Sequence, residues 1–174
     1  MTHIDTRGRH LDSFVQAEGQ GLVRFAFLLT AGNAALADDL VQGVLARLVS
    51  RGIDDLTDPV SYTRRAIVNE YRSTHRRGQA HDRAMTRIGP PSPSAGATSI
   101  EDRDAVLRAL AELGARERAA VVLRYYADLD DAAIAAELGC ARATVRSLVH
   151  RALKKLRPRL EPTFRDAPSP QEER

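Results

Sequence analysis

Apolar positions recur along this chain at helical spacing, and they divide it into segments before any residue's chemistry is considered. Leu22, Phe25, Ala26 and Leu29 fall on one stripe and place a first helix over about 13–29. The tetrapeptide Thr30-Ala31-Gly32-Asn33 breaks it, because Gly and Asn commonly end helices. Leu40, Val41, Val44, Leu45 and Leu48 form the stripe of a second helix over about 34–49, closed by Arg51-Gly52. Asp58-Pro59 is a helix start, a capping side chain followed by Pro at the first helical position. The third helix is therefore expected over about 59–76, with Val60, Ala66, Ile67 and Tyr71 on its apolar side and arginines on the other.

Between Gly78 and Ser99 the periodicity disappears, and Gly89-Pro90-Pro91-Ser92-Pro93 can neither continue a helix nor bury anything. The pattern resumes near Ile100. Val106, Leu107, Leu110 and Leu113 mark one helix, ended at Gly114, and Val121, Val122, Leu123 and Tyr125 are the core candidates of the next. Asp130 caps a short helix over 131–138, Gly139-Cys140-Ala141 is a tight turn, and a last helix runs from Arg142 to about Leu156, before Pro158. The fold expected is all-α: two small helical domains, 13–77 and 100–160, joined by a flexible linker over 78–99. Residues 1–12 are expected to fray and 161–174 to be a disordered tail.

Composition agrees with helices. Aromatics are 5% with no Trp, so the cores must be built from Leu, Val, Ile and Ala. The formal net charge of +3 is modest, but the charge is unevenly placed. Arg64, Arg65, Arg72, Arg76, Arg77, Arg83 and Arg87 face only Glu70 and Asp82, while the run from Arg142 to Arg159 contains no acid. Two basic segments this pure point to two contacts with a polyanion, and nucleic acid is the obvious one. The single cysteine, Cys140, excludes an internal disulfide and a cysteine-rich metal site, and is most simply a small buried apolar residue. No apolar run approaches the roughly 20 residues that span a bilayer, and the N-terminal segment lacks the apolar stretch of a secretory signal. No membrane insertion is expected, and the cytoplasm is the expected location.

The segment Asp130–Leu156 carries the functional reading. A DNA-reading helix-turn-helix needs a short first helix, a tight turn often containing Gly, and a second helix with one face buried and the other free. Ala133, Ala135 and Ala136 allow close helix approach, and Gly139 supplies the turn. On the second helix Val145, Leu148, Val149, Ala152 and Leu156 point inward. Arg142, Thr144, Arg146, Ser147, His150, Arg151 and Lys154 remain as the candidate DNA contacts. Arg suits bidentate contact with guanine, each good pair discriminating by about 1–3 kcal/mol, whereas Ser and Lys suit phosphate. Ala141 stands where a Ser or Thr cap is expected at the start of that helix.

Three segments carry a family resemblance: Leu36-Ala37-Asp38-Asp39-Leu40-Val41-Gln42, Asp58-Pro59-Val60-Ser61-Tyr62-Thr63-Arg64-Arg65 with Asn69, and Arg118–Tyr126 leading into the helix-turn-helix. With them the chain resembles the extracytoplasmic-function (ECF) group of sigma-70 factors, in particular the short SigE-type factors of actinobacteria. The first domain is similar to region 2 and the second to region 4. The resemblance implies that Asp39, Leu40, Val41 and Gln42 contact the β′ clamp helices of core RNA polymerase. It implies that Tyr62, Arg64, Arg65, Asn69, Arg72, Arg76 and Arg77 bind and open the −10 promoter element. It assigns the −35 element to region 4, and brings in the β flap of the polymerase and an anti-sigma protein as partners. Tyr62 has two readings, stacking on a splayed base or packing at the core edge beside Pro59. The chain departs from the family pattern at Gly43, often acidic, at a cost of about 1 kcal/mol in helix propensity. It also lacks an aromatic in 49–56.

Two rival functions remain. A stand-alone dimeric helix-turn-helix regulator would need an exposed self-complementary apolar face, whereas the sequence offers a linker and a second basic region. An enzyme is unsupported. His3, His10, His75, His81 and His150 lack ligand spacing, no phosphate-binding Gly loop is present, and Asp38 and Asp39 diverge on a helix. No catalytic residue, metal or cofactor is expected.

Overall fold

A computed structural model describes residues 3–84 and 100–165 of the chain, with the side chains of 10–77 and 103–160. Seven helices follow one another: α1 His3–Leu29, α2 Ala34–Arg51, α3 Pro59–Ala84, α4 Ile100–Ala111, α5 Ala115–Tyr125, α6 Asp131–Leu138 and α7 Arg142–Arg165. Among the described residues there is no strand. The all-α expectation holds, and the expected starts are visible as caps. The Asp58 carboxylate accepts the Ser61 N–H at 2.9 Å, and Asp130 accepts that of Ala133 at 2.7 Å. Asn33, expected as part of a break, caps the helix that follows, its side chain accepting the Leu36 N–H at 3.0 Å.

Helix ends differ from the periodicity at three places. α1 begins at His3 rather than near Ser13, within the stretch expected to fray. Phe14 packs on the core and His10 meets Asp54 at 2.5 Å, so tertiary contacts hold turns that the sequence leaves undecided. α3 runs on to Ala84, past the expected end near Arg76 and into the stretch expected as linker. Gly78 costs about 1 kcal/mol in a helix but does not stop one. α7 passes through Pro158 to Arg165, into the expected tail. A proline inside a helix forfeits one hydrogen bond. Here Leu160 packs beside the α4–α7 cluster, and Arg159 meets Glu112 at 3.0 Å, which hold the helix beyond it. The rest of the expected linker, 85–99, and of the tail, 166–174, lie outside the described residues.

Helices α1–α3, one unit, pack against α4–α7, the other. One continuous apolar cluster takes Leu22, Phe25, Leu40, Val44, Ile67 and Val68 from the first, with Leu123, Ile134, Leu138, Val145 and Leu148 from the second. A smaller cluster of Leu110, Leu113, Val121, Ala152 and Leu156 lies within the second unit. Tyr125, expected in the core, is 63% exposed, because the inward stripe of α5 is carried by Ala119, Val122 and Leu123 instead.

Polar contacts tie the units as well. Arg118, buried on α5, donates to the Leu29 carbonyl at 3.1 Å, and Tyr126 Oη donates to the Gly21 carbonyl at 3.3 Å. The turn after α1 comes close to α4. Gly32 has φ +91°, and a Cβ there would stand 3.1 Å from a Leu107 methyl. Gly32→Ala combines a strained backbone with that contact, so a loss of about 1–3 kcal/mol is expected in urea unfolding. An unchanged midpoint would mean that the turn does not press on α4.

Candidate nucleic-acid interface

The helix-turn-helix closes as its sequence requires. Gly139 adopts the left-handed conformation (φ 59°, ψ 51°) and its N–H reaches the Ala135 carbonyl, as does that of Cys140 at 3.0 Å. Cys140 is half-buried. Val145, Leu148, Ala152 and Leu156 are buried, and Val149 is partly so. Arg142, Arg146, Ser147, His150, Arg151 and Lys154 are exposed, while Thr144 is half-buried. The exposed face of α7 is thus basic and free of carboxylates through its first four turns.

Two of those side chains are held by acids from neighbouring helices. Arg146 Nε donates to Asp131 Oδ2 at 3.1 Å, and Arg124 pairs with the other oxygen of the same carboxylate. Hydrogen bonding from Arg146, then from Arg124, holds Asp131 below the usual carboxylate range against the opposing effect of burial. Arg151 stands 3.5 Å from Glu117, which also accepts from Lys155 at 2.6 Å.

The candidate −10 residues divide between two faces of α3. Arg65, Asn69, Arg76 and Arg77 are exposed. Arg64 and Arg72 turn toward α6 instead. Arg64 Nε lies 3.5 Å from Glu137 Oε1, to which Ser61 Oγ donates at 3.2 Å, and Arg72 Nη1 donates to the Leu138 carbonyl at 3.1 Å. The helix nominated to bind −10 DNA is therefore partly covered by the first helix of the helix-turn-helix. Tyr62 lies half-buried under the Arg51 guanidinium, 5.3 Å from the ring centroid. Tyr71, the other aromatic on α3, is buried.

Of the candidate polymerase contacts, Asp39 and Gln42 are exposed, whereas Leu40 and Val41 are core residues. A helix needs a buried stripe to stay on its bundle, and the Asp-Leu-Val-Gln run supplies stripe and outer face together. Val41 and Gln42 also border a shallow groove between α1 and α2 with the exposed Val15 and Val23. Among the described residues no group of three or more His, Cys, Asp or Glu is placed to hold a metal.

Sequence reasoning missed Arg118 and Glu137, whose roles depend on partners 89 and 76 residues away. Glu137 could have been suspected as the lone acid between Asp131 and Glu161.

Comparison with known proteins decides the family. The model of sigma-70 region 4 matches residues 103–156, which is α4 to α7 up to Leu156. The RNA polymerase sigma-E factor of Streptomyces coelicolor is 33% identical over 152 residues, covering 86% of this chain and 85% of that protein. The ECF RNA polymerase sigma factor SigL of Mycobacterium tuberculosis is 34% identical over 143 residues, covering 78% and 80%.

The chain belongs to the ECF family of RNA polymerase sigma factors. It directs polymerase to promoters and starts transcription, the function that family membership carries. Two solved structures share its fold. One is RpoE from Bartonella quintana in complex with the anti-sigma factor NepR, with a TM-score of 0.72, 22% identity and coverage of 88% of this chain and 98% of that one. The other is CnrH with the cytosolic domain of CnrY, with a TM-score of 0.59, 20% identity and coverage of 92% and 91%.

The α3–α6 contact of this sigma factor gives a pH signature. Burial raises the Glu137 carboxyl above its ordinary value, against the charge of Arg64, the hydrogen bond of Ser61 and the charge of Arg65. The folded chain therefore keeps that proton to higher pH than the unfolded chain. Ionisation costs stability, starting as pH rises through the ordinary value of 4.5 and complete above the raised one. Glu137→Gln keeps the shape and an acceptor for Ser61 while removing that cost. Its Tm is expected to exceed the parent's at neutral pH, with the gap closing in acid, by calorimetry between about pH 4 and 8. A lower Tm at neutral pH would show that pairing with Arg64 outweighs burial.

Proposed function

We propose that this sigma factor divides its work between its two helical units. α1–α3 supply the core-polymerase and −10 contacts, and α4–α7 bind the −35 element as duplex. The observation that supports this most is the exposed face of α7. Arg142, Arg146, Ser147, His150, Arg151 and Lys154 stand together there over a buried stripe, the arrangement that a helix lying in a major groove requires. Arg146 and Arg151 are the proposed base readers, with Ser147 and Lys154 on phosphate.

On α3, Arg65, Asn69, Arg76 and Arg77 form the side open to DNA, and Arg64 and Arg72 join them only once α6 moves away. Asp39 and Gln42 contact the β′ clamp helices, with Leu40 and Val41 holding their helix in place. An apolar groove of about 860 Å³, lined by Leu110, Val121, Tyr125, Leu153 and Leu156 among others, suits an apolar helix such as that of the polymerase β flap. An anti-sigma protein is a further proposed partner, since both solved relatives are complexed with one or with a partner's cytosolic domain. The chain works without catalysis of its own, in the cytoplasm where polymerase is. Among the described residues no helix is long and apolar enough to cross a membrane.

Run-off transcription with purified core polymerase tests the division. Arg146→Ala should weaken and relax −35 recognition, at about 1–3 kcal/mol per lost bidentate contact. Asp39→Ala should impair polymerase binding and leave affinity for an isolated −35 duplex unchanged. Equal loss of both activities in either variant would argue for misfolding. No initiation, together with a shifted palindromic duplex, would favour the stand-alone dimeric regulator.

A further inference from the structure

A second basic feature lies away from the exposed face of α7. Between α3, the first turn of α5 and α7 there is a cleft of about 360 Å³, lined by Arg72, Arg76, Arg116, Arg151 and Glu117 with Gly114 at its edge. Four arginines from three helices thus line the cleft with a single carboxylate, and that carboxylate is fully engaged. Glu117 accepts from Lys155 at 2.6 Å and from the Gly114 N–H at 3.2 Å, and pairs with Arg151 at 3.5 Å. Burial works to raise its carboxyl, but those hydrogen bonds and the charges of Lys155 and Arg151 hold it below the usual range.

Among the described residues the remaining three arginines have no acid. Arg72 spends one donor on the Leu138 carbonyl. Arg76 and Arg116 make no hydrogen bond or ion pair with the described residues, and both are exposed. Their charges reach Arg72, whose guanidinium is pushed down by burial first and then by Arg116 and Arg76. The positive end of α5 adds to the same field at Gly114. Packing the two units together therefore concentrates cation that no described residue neutralises.

We propose that this cleft binds a small diphosphate-bearing anion. A terminal phosphate carries about −1.5 to −2 charges at neutral pH and three strong acceptor oxygens. Guanidinium forks match such oxygens two at a time. Two linked phosphates balance three unneutralised arginines and fit a cleft of about 360 Å³. Because the arginines come from both units, the anion ties α3 to α5 and α7. Arg72, Arg76 and Arg151 are also proposed DNA contacts, so a bound diphosphate withholds them from promoter DNA. The site itself rests on the packing of the units and survives failure of the promoter assignment.

Calorimetric titration of the full chain with inorganic pyrophosphate, at constant ionic strength and without divalent metal, tests this. One saturable site per chain is expected, with a Tm that rises with ligand concentration. Arg116→Ala and Arg76→Ala, both at exposed positions, should each raise Kd at least about tenfold. Arg108→Ala, an exposed cation on α4 outside the cleft, should bind as the parent does. Equal affinity for ADP and pyrophosphate would mean that the diphosphate alone is read, and tighter ADP binding that the ligand is a nucleotide. Absence of a saturable site, or an equal loss in Arg108→Ala, would overturn the proposal by reducing it to unspecific charge attraction.

Discussion

The placement of the two helical units depends on one buried cation. Arg118 sits 7% exposed on α5 and donates to the carbonyls of Leu29, Ala111 and Leu113 at 3.0–3.1 Å. All three lie at or just beyond helix C-termini, where carbonyls lack an intrahelical partner and the helix dipole is negative. One planar fork thus closes the end of α1 and the end of α4 together, and a compact ammonium would match it poorly. Burying a guanidinium without a carboxylate is costly, and burial pushes it below its ordinary value. Three carbonyl acceptors offset that cost only while α1 stays docked on the α4–α5 turn.

From that docking the rest of the interface follows. With α1 against α5, the helix-turn-helix is carried onto α3, and α6 covers the face that holds Ser61, Arg64 and Arg72. A long basic helix acquires two chemically different sides. One keeps Arg65, Asn69 and Arg77 in solvent, and the other is committed to Glu137 and the end of α6. The same closure brings Arg116 of α5 toward Arg72 and Arg76 of α3, from which it is far removed along the chain.

Much of this was legible in the sequence, for a physical reason. Helix periodicity, capping and turn chemistry are local, so Asp58, Asp130 and Gly139 could be read directly, as could the inward stripe of α7 and its basic outer face. What escaped was tertiary. Nothing local says that His3–Asp12 would be helical, since Phe14 and the His10–Asp54 contact secure that stretch from outside it. Nothing local separates Leu40 and Val41 from Asp39 and Gln42 as partner contacts until the stripe is seen to be filled. Arg118 reads as one more surface arginine. Tyr125 reads as core because it continues an apolar run, yet Ala119, Val122 and Leu123 fill the inward face of α5.

How firmly the closed arrangement holds depends on the quality of its polar contacts. The α3–α6 seam rests on a carboxylate whose ionised form is disfavoured by burial, and both Glu137 Oε2 and Arg64 Nε are buried without a hydrogen-bond partner. Such a half-satisfied network contributes less than its distances suggest. The apolar contacts of Ile134, Leu138 and Leu148 must therefore supply most of the attraction. A partner that binds only the separated units must offset the whole contact, the Arg118 and Tyr126 hydrogen bonds to α1 included. The seam thus draws its strength from apolar contact more than from its ion pair.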